Sequence, residues 1–335
     1  MHNKQILVLG GAGYIGSHIT ERLSAKGYKV IVLDNLYSGH IKSIDYLEDR
    51  VIIADITQKT LHEVHERFGK IDGIIHFAGY IEVGESMKNP YKYIQNNISR
   101  SAEILEFMKD ADIRSLVFSS SAAVYGDKNK GKITERTRKK PINVYGLTKS
   151  VFEDILFHYD NIFGVKSICL RYFNAAGASH FRNIGEDHPN ESHLIPLVLK
   201  TALGQRDTIN IYGDDYDTPD GTCIRDYIHV DDLAEAHIFA LETLMEKQQN
   251  HIFNLGVGRG YSIKEIIDIS KKITKIDIPS KIADRREGDP AILVADCDLI
   301  FQKLGWKAKY DINDIIKTAW NWHSKNPEGF KDLKK

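Results

Sequence analysis

The chain has 335 residues, of which 42% are hydrophobic and 27% are charged, which is an ordinary globular composition. Its 45 Lys and Arg residues nearly balance its 46 Asp and Glu residues, giving a net charge of -1, so we expect neither nucleic-acid nor membrane-surface binding. Three widely spaced cysteines favour a reducing compartment over a disulfide framework. Because no run approaches the ~18 apolar residues of a membrane span, we expect a soluble, cytoplasmic protein.

In the first half of the chain, short apolar runs alternate with stretches that carry apolar residues at helical spacing, such as Gly16–Lys26 and Ser99–Asp110. Continuous apolar runs are typical of strands that are buried on both faces of a parallel sheet. The predicted strands are Gln5–Leu9, Lys29–Asp34, Arg50–Ala54, Gly73–Phe77, Ser115–Ser119 and Lys166–Tyr172. This alternation predicts an α/β fold with a Rossmann-like, doubly wound parallel sheet over residues 1–175.

Beyond residue 175 the composition changes, and Gly, Pro, Asp and His become frequent, as in 185–193 and 213–221. We predict that residues 176–335 form a smaller, irregular α/β substrate domain at the sheet edge where ligands bind. Part of the 225–245 region is expected to pack back on the first domain.

A glycine-rich run, Gly10-Gly-Ala-Gly-Tyr-Ile-Gly16, follows the first predicted strand and opens a predicted helix. Glycines in this context permit a tight turn and close approach of the backbone to a pyrophosphate, so the run predicts dinucleotide binding. Asp34 ends the second strand 18 residues later. A carboxylate there accepts hydrogen bonds from ribose hydroxyls and repels a 2′-phosphate, which favours NAD over NADP.

Tyr145 and Lys149 are four residues apart and therefore share one face of a helix. The ammonium group is expected to lower the pKa of the phenol toward the range of a general base. Ser121 follows a predicted buried strand, so its hydroxyl is expected at the carboxyl edge of the sheet, where it could hydrogen-bond the same substrate oxygen.

These motifs, in this order, resemble the extended short-chain dehydrogenase/reductase superfamily. More specific strings resemble the UDP-glucose 4-epimerase family, over about residues 5 to 330. They include Val83–Ser86, Ser120–Gly126, Leu170–Asn174, Ile184–Asp187, Arg225–Val230 and Arg285–Asp289.

The resemblance implies a cofactor site for NAD. The residues that it assigns to this site are Gly10, Gly13, Tyr14, Ile15, Gly16, Asp34, Asn35, Ser38, Asp55, Ile56, Phe77, Ala78, Gly79, Asn96, Tyr145, Lys149 and Phe173. No metal site is expected. His62 and His65 fit a solvated helix face better than a metal pair, and the acidic run 214–220 lacks the glycine of a calcium loop.

The resemblance further implies that the substrate is a UDP-hexose, with Tyr145 as the base, Lys149 tuning Tyr145, and Ser121 bonded to the sugar 4-oxygen. Substrate contacts are assigned to Ser121, Tyr145, Asn174, Leu194, Asn210, Tyr212, Arg225, Arg286 and Asp289. Among these, two arginines suit a diphosphate because guanidinium matches phosphate oxygens geometrically. A homodimer is expected through helices near Ser99–Asp110 and Val151–Phe163.

The range of sugars and the strength of cofactor binding remain open at this point, whereas the sequence disfavours two other functions. Leu293 occupies the position that limits the sugar pocket in this family, and its intermediate size leaves N-acetylated UDP-sugars as alternative or additional substrates. Ile81 stands where many family members have Lys, which removes one cofactor contact. A 4,6-dehydratase would need acid and base groups where Ala122 and Ala123 stand, and a non-catalytic NAD-binding regulator would be expected to lack Tyr145 or Lys149.

Overall fold

The computed structural model describes residues 3–127, 131–286 and 289–331. Its strands are β1 (Gln5–Leu9), β2 (Lys29–Asp34), β3 (Val51–Ile53), β4 (Gly73–His76), β5 (Ser115–Ser121), β6 (Lys166–Tyr172), β7 (Asn174–Ala176), β8 (Ile209–Tyr212), β9 (Ile224–His229), β10 (His251–Leu255), β11 (Gly260–Ser262), β12 (Ser280–Ala283) and β13 (Ile292–Leu293). Its α-helices are α1 (Tyr14–Ala25), α2 (Gln58–Phe68), α3 (Val83–Lys88), α4 (Pro90–Ile94), α5 (Arg100–Asp110), α6 (Val144–Phe163), α7 (Leu194–Ala202), α8 (Val230–Lys247), α9 (Ile263–Thr274), α10 (Asp298–Leu304) and α11 (Ile312–Lys325).

Seven strands form one sheet in the order β10-β6-β5-β4-β1-β2-β3, and every neighbouring pair is parallel. Side chains alternate between its two faces. Ile6 and Val8 of β1 pack into a core that also contains Leu233 of α8, whereas Leu7 and Leu9 pack into a second core with residues of α2, α5 and α6. The predicted doubly wound α/β fold is confirmed.

Strand β5 is two residues longer than the apolar run predicted. Ser120 and Ser121 carry polar side chains, yet their backbones continue the ladder opposite Arg171 and Tyr172 of β6. This extension carries Ser121 to the carboxyl edge of the sheet.

The part of the chain beyond residue 175 contributes to two regions. Strand β10 pairs with β6 in the large sheet, and α8 packs against α1. The remaining strands form small sheets in which β9 pairs with β7, β11 and β13, and β8 pairs with β12. Helices α7, α9 and α11 pack together beside them. The division into domains at residue 175 stays a prediction.

Among the described residues, none of the helices combines the length and apolar character that a membrane crossing requires.

Candidate active site

A cleft of about 950 Å³ runs along the carboxyl edge of the seven-stranded sheet. Its floor is formed by residues that end or follow the parallel strands, including Gly10, Asp34, Phe77 and Ser121. Residues from β9 and the segments around β7 and α7 form the opposite wall. Open α/β sheets bind their ligands at this edge, and most of the residues predicted from the sequence converge here. The predicted residues that line the cleft are Gly10, Gly13, Tyr14, Ile15, Gly16, Asp34, Asn35, Ser38, Asp55, Ile56, Phe77, Ala78, Gly79, Asn96, Ser121, Tyr145, Phe173, Asn174, Leu194, Arg225 and Asp289.

The glycine loop needs glycine at two positions for close packing. A Cβ atom on Gly10, whose φ is +78°, would lie 2.6 Å from the Ala78 backbone nitrogen, and one on Gly16 would lie 2.1 Å from the Gly10 carbonyl oxygen. At Gly13 a Cβ atom would meet only that same carbonyl oxygen, at 3.5 Å, so Gly13 keeps the space beside α1 open. Amides in the first turn of a helix have no intrahelical acceptor, so this cradle fits an anionic diphosphate.

Asp34 fixes the loop and retains acceptor capacity. Its Oδ2 accepts a hydrogen bond from the Ala12 amide at 2.9 Å, and its Oδ1 accepts one from the Leu36 amide at 2.8 Å. Burial raises the pKa of Asp34, and these two bonds act in the opposite direction. Since each carboxylate oxygen can accept about two bonds, one position on each remains for ribose hydroxyls. The loop and Asp34 together fit the adenosine diphosphate half of NAD.

Several polar side chains lie together beside the region that fits the adenosine diphosphate half of NAD. The Asn35 Nδ2 donates to Asp55 Oδ1 at 2.7 Å, and the Arg100 guanidinium pairs with Asp55 Oδ2 at 3.2 Å. Ser38 and Ile56 line the cleft beside them. Arg100 was not predicted, because a single charged residue at the start of a helix has no distinguishing sequence signal.

The segment that follows β4 is tied to the neighbouring helices. Asn97 accepts a hydrogen bond from the Tyr80 amide at 2.9 Å and donates one to its carbonyl oxygen at 3.0 Å. A Cβ atom on Gly79 would lie 3.3 Å from Asn97 Oδ1 and 3.7 Å from Lys149 Nζ. Asn97 is therefore a positioning residue that was not predicted from the sequence. Its neighbour Asn96, which was predicted, lines the cleft.

Tyr145 lies at the start of α6 and is only 8% exposed. Burial raises its pKa, and a hydrogen bond with Ser121 lowers it. We predicted that the Lys149 ammonium group lowers the pKa of the Tyr145 phenol. The pKa is instead raised, because desolvation of the phenolate is the largest effect. The Lys149 Nζ lies 5.9 Å from the Tyr145 ring centroid and donates to the Ser119 carbonyl oxygen at 2.8 Å.

Lys149 is almost completely buried. Its burial lowers the pKa of the ammonium group to about 8, while the charge of Glu153 acts to raise it. Lys149 itself is absent from the cleft lining, but it lies directly behind Gly79 and Tyr145. The Lys149 ammonium group is therefore close enough to stabilise negative charge on the Tyr145 oxygen.

Behind Lys149, a buried ion pair joins α6 to β5 and β6. Glu153 accepts hydrogen bonds from Arg171 Nε at 2.8 Å and Nη2 at 2.6 Å, and from Ser120 Oγ at 2.6 Å. On the other face of β5, the Ser119 and Tyr172 hydroxyls are 2.6 Å apart. These contacts fix the end of β5 relative to α6, and so fix Ser121 relative to Tyr145.

On the opposite wall, Arg225 lies beside Asn174, Leu194 and Asp289. Its Nη1 donates to the Pro290 carbonyl oxygen at 2.7 Å, and its Nη2 is 3.6 Å from Asp289 Oδ1. These contacts hold the guanidinium at the cleft. Leu293 lines the same cleft.

Three of the predicted substrate residues form a separate group. Asn210, Tyr212 and Arg286 are absent from the cleft lining. The Arg286 guanidinium carbon lies 3.9 Å from the Tyr212 ring centroid. Hydrogen bonds from Arg286 and Asn210 lower the pKa of Tyr212. The assignment of these three residues to the substrate stays a prediction.

Glu186, His188 and His193 also line the cleft, and none of them was predicted. Burial alone would lower the pKa of His193, but Glu186 and Glu191 raise it to about 9. Burial alone would raise the pKa of Glu191, but His188 and His193 lower it to about 2. The spacing Glu-x-His-x-x-Glu-x-His over 186–193 is the sequence signal that could have identified this group.

Known proteins resemble this chain over nearly its whole length. The profile of the NAD dependent epimerase/dehydratase family matches residues 6–256. The UDP-glucose 4-epimerase of Lactobacillus helveticus is 48% identical over 98% of this chain and 99% of its own length. The crystal structure of UDP-glucose 4-epimerase from Brucella ovis in complex with NAD has a TM-score of 0.91 and 42% identity, over 95% of this chain and 98% of that one. The UDP-glucose 4-epimerase from Bifidobacterium longum in complex with NAD+ and UDP has a TM-score of 0.92 and 38% identity, over 98% and 100%. The chain belongs to the NAD dependent epimerase/dehydratase family.

Proposed function

We propose that this protein interconverts UDP-galactose and UDP-glucose through a 4-keto intermediate, with NAD as a bound cofactor. One observation carries the proposal: a single cleft brings together the glycine loop with Asp34, the Ser121 and Tyr145 pair, and Arg225. The relatives named above, which are similar over nearly the whole chain, are UDP-glucose 4-epimerases.

In this proposal Tyr145 removes the proton of the sugar 4-hydroxyl and later returns it. A phenol with a raised pKa is almost fully protonated at neutral pH, so forming the phenolate needs positive charge nearby. Lys149 supplies part of this charge from behind the cleft wall. Ser121 donates a hydrogen bond to the sugar 4-oxygen and thereby holds it beside the Tyr145 hydroxyl.

NAD held by the glycine loop and Asp34 would supply an acceptor for the hydride of sugar carbon 4, and return of this hydride to the opposite face would leave no net oxidation. The return requires the keto sugar to present its other face while the nucleotide stays bound. Arg225 is suited to hold the diphosphate, because its guanidinium is fixed by Pro290 and Asp289 at the wall opposite the glycine loop. The wide cleft beside Ser121 then gives the sugar room to turn.

We also propose a homodimer in the cytoplasm. The apolar side chains of α5, including Ile104 and Phe107, are buried within the protomer, so α5 offers little for association. Helix α6, by contrast, leaves Phe157 61% exposed and Ile162 68% exposed. The three cysteines are free thiols, which fits a reducing compartment. Light scattering during size-exclusion chromatography, with Phe157→Ser as the variant, tests the dimer.

The second candidate function is that of a 4-epimerase that also accepts N-acetylated UDP-sugars. A structural relative with 39% identity and a TM-score of 0.83 is the UDP-Glc/GlcNAc 4-epimerase of Campylobacter jejuni. In this chain Leu293 lines the cleft and packs at the edge of a small core with Ala122 and Phe173. Its medium size leaves space that a larger side chain would fill.

The test of the proposed reaction uses the purified protein with UDP-galactose or UDP-glucose and resolves the two sugars by chromatography. We expect the same final ratio from both starting compounds. Tyr145→Phe is expected to lower kcat by at least ~10², which is the usual contribution of a general base. Unchanged turnover in a folded Tyr145→Phe variant would overturn the assignment of the base.

A further inference from the structure

The segment 177–193 connects β7 to α7 without forming a helix or a strand of its own. Near its end, four side chains approach one another, namely those of Glu186, His188, Glu191 and His193. The two carboxylates are buried, and the His193 side chain is 44% exposed. One ligand atom from each of them lies within 4.8 Å of all the others. Glu186, His188 and His193 line the same cleft as Ser121 and Tyr145, but the proposed reaction assigns no role to this group.

The group lacks a fixed positive charge. The side chains of Glu186 and Glu191 are only 3% and 4% exposed. Within the described ranges, every ion pair that these two carboxylates make is with His188 or His193, never with Lys or Arg. Two buried carboxylates are costly without compensating charge, so the charge must come from protonated imidazoles or from a bound cation.

Glu191 is held in an orientation that leaves one oxygen available. Its Oε1 accepts hydrogen bonds from the backbone amides of Ser192 and His193, both at 2.9 Å. Its Oε2 is buried and has no hydrogen-bond partner among the described residues. A buried carboxylate oxygen that has no hydrogen bond and lies 3.5 Å from the His188 Nδ1 is a metal-ligand arrangement more than a packing arrangement.

The spacing of the atoms fits a tetrahedral cation. In a site with metal–ligand distances of about 2.0–2.2 Å, two ligand atoms are about 3.3–3.6 Å apart. The His188 Nδ1 is 3.5 Å from Glu186 Oε1 and 3.5 Å from Glu191 Oε2. The His193 Nδ1 lies in hydrogen-bond contact with Glu186, so these two atoms must move apart to admit an ion.

We infer that Glu186, His188, Glu191 and His193 bind one divalent transition-metal ion of the Zn²⁺ type, which closes segment 177–193 against the cleft wall. Two imidazole nitrogens and two carboxylate oxygens suit Zn²⁺, whereas Mg²⁺ and Ca²⁺ prefer oxygen ligands alone. The inference departs from the sequence-based expectation of no metal. It does not depend on the proposed reaction, because the test below measures binding.

The experiment titrates the chelator-treated full-length protein with Zn²⁺ in competition with a chromophoric chelator. We expect one tightly bound Zn²⁺ per chain. His188→Gln and Glu191→Gln are each expected to weaken this binding by at least about tenfold. Two matched controls are His62→Gln, in the exposed His pair on α2, and His180→Gln, near His229 and Asp231; both should leave the tight site unchanged.

Circular dichroism of each variant checks its folding, and a second measurement on the unaltered protein needs no variant. Co²⁺ replaces Zn²⁺, and its visible spectrum reports the coordination geometry. An intense absorption band, typical of tetrahedral Co²⁺, supports the site. Absence of tight binding, equal binding by His188→Gln, or the weak spectrum of octahedral Co²⁺ would each overturn the inference and assign the compensating charge to protonated histidines.

Discussion

The buried pair of Glu153 and Arg171 gives the sharpest energetic prediction. Its side chains are 1% and 3% exposed, and two hydrogen bonds of 2.8 and 2.6 Å join them. We expect Glu153→Met to destabilise the protein by about 3–5 kcal/mol, because it leaves the Arg171 charge buried without a carboxylate partner. Arg171→Met should destabilise it less, since Lys139 Nζ remains 3.5 Å from Glu153 Oε2. At roughly 2 °C per kcal/mol for a large chain, the loss in Tm for Glu153→Met is about 6–10 °C.

The double variant distinguishes the cost of a buried charge without a partner from the net contribution of the ion pair to the free energy of unfolding. When both residues become Met, no buried charge remains from the pair, and the larger part of the loss should be recovered. We expect the double variant to be destabilised by at least ~2 kcal/mol less than the sum of the two single variants. Tyr125, whose hydroxyl accepts from Arg171, still has its hydrogen bond to Asn254 at 2.6 Å.

Urea unfolding, followed by tryptophan fluorescence, measures these differences. Glu63→Met is the matched control, since its pair with Lys59 has side chains that are 60% and 85% exposed. An exposed pair contributes little, so the control should change stability by less than ~1 kcal/mol. Single variants as stable as this control, or a double variant equal to the sum, would refute the argument from buried charge.

Two further predictions concern pH and specificity. Burial lowers the pKa of His237 to about 4, below its usual 6.5, so its contribution to stability is present above pH 6.5 and is lost as pH falls toward 4. Lowering the pH from 7 to 5 should therefore cost about 2 kcal/mol of unfolding free energy through His237. His237→Gln should remove about this much of the loss measured by urea unfolding between the two pH values, and an unchanged loss would contradict the prediction. Leu293→Tyr should reduce turnover of UDP-N-acetylgalactosamine at least ~10-fold more than that of UDP-galactose, since a single pocket residue is worth about 1–3 kcal/mol of discrimination. Equal losses for both sugars in a chromatographic assay would remove Leu293 from the sugar pocket.

Local signals account for the parts of the fold and site that were predictable. The apolar runs of β1, β2 and β6 identify these strands to the residue. Strand β10 was missed because it lies at the sheet edge, where Ile252 is 36% exposed, and its pairing with β6 is a long-range event. The glycine loop was predictable because strand, turn and helix are contiguous.

Contacts between segments that are distant in the chain could not be predicted from sequence patterns. Glu153 and Arg171 are 18 residues apart on different elements, and nothing in their spacing indicates that burial pairs them. The direction of the Tyr145 pKa shift depends on burial by the folded cleft, which the helical spacing to Lys149 does not report. Asn97 and Tyr172 likewise act through tertiary contacts.

In the proposed reaction, epimerisation at carbon 4 proceeds by removal and return of the same hydrogen within one cleft. The most direct measurement incubates the protein with UDP-galactose in D₂O, first without and then with added NAD, and analyses the product by chromatography and mass spectrometry. We expect UDP-glucose without carbon-bound deuterium. Absence of UDP-glucose under both conditions, or UDP-glucose carrying deuterium at carbon 4, would contradict it.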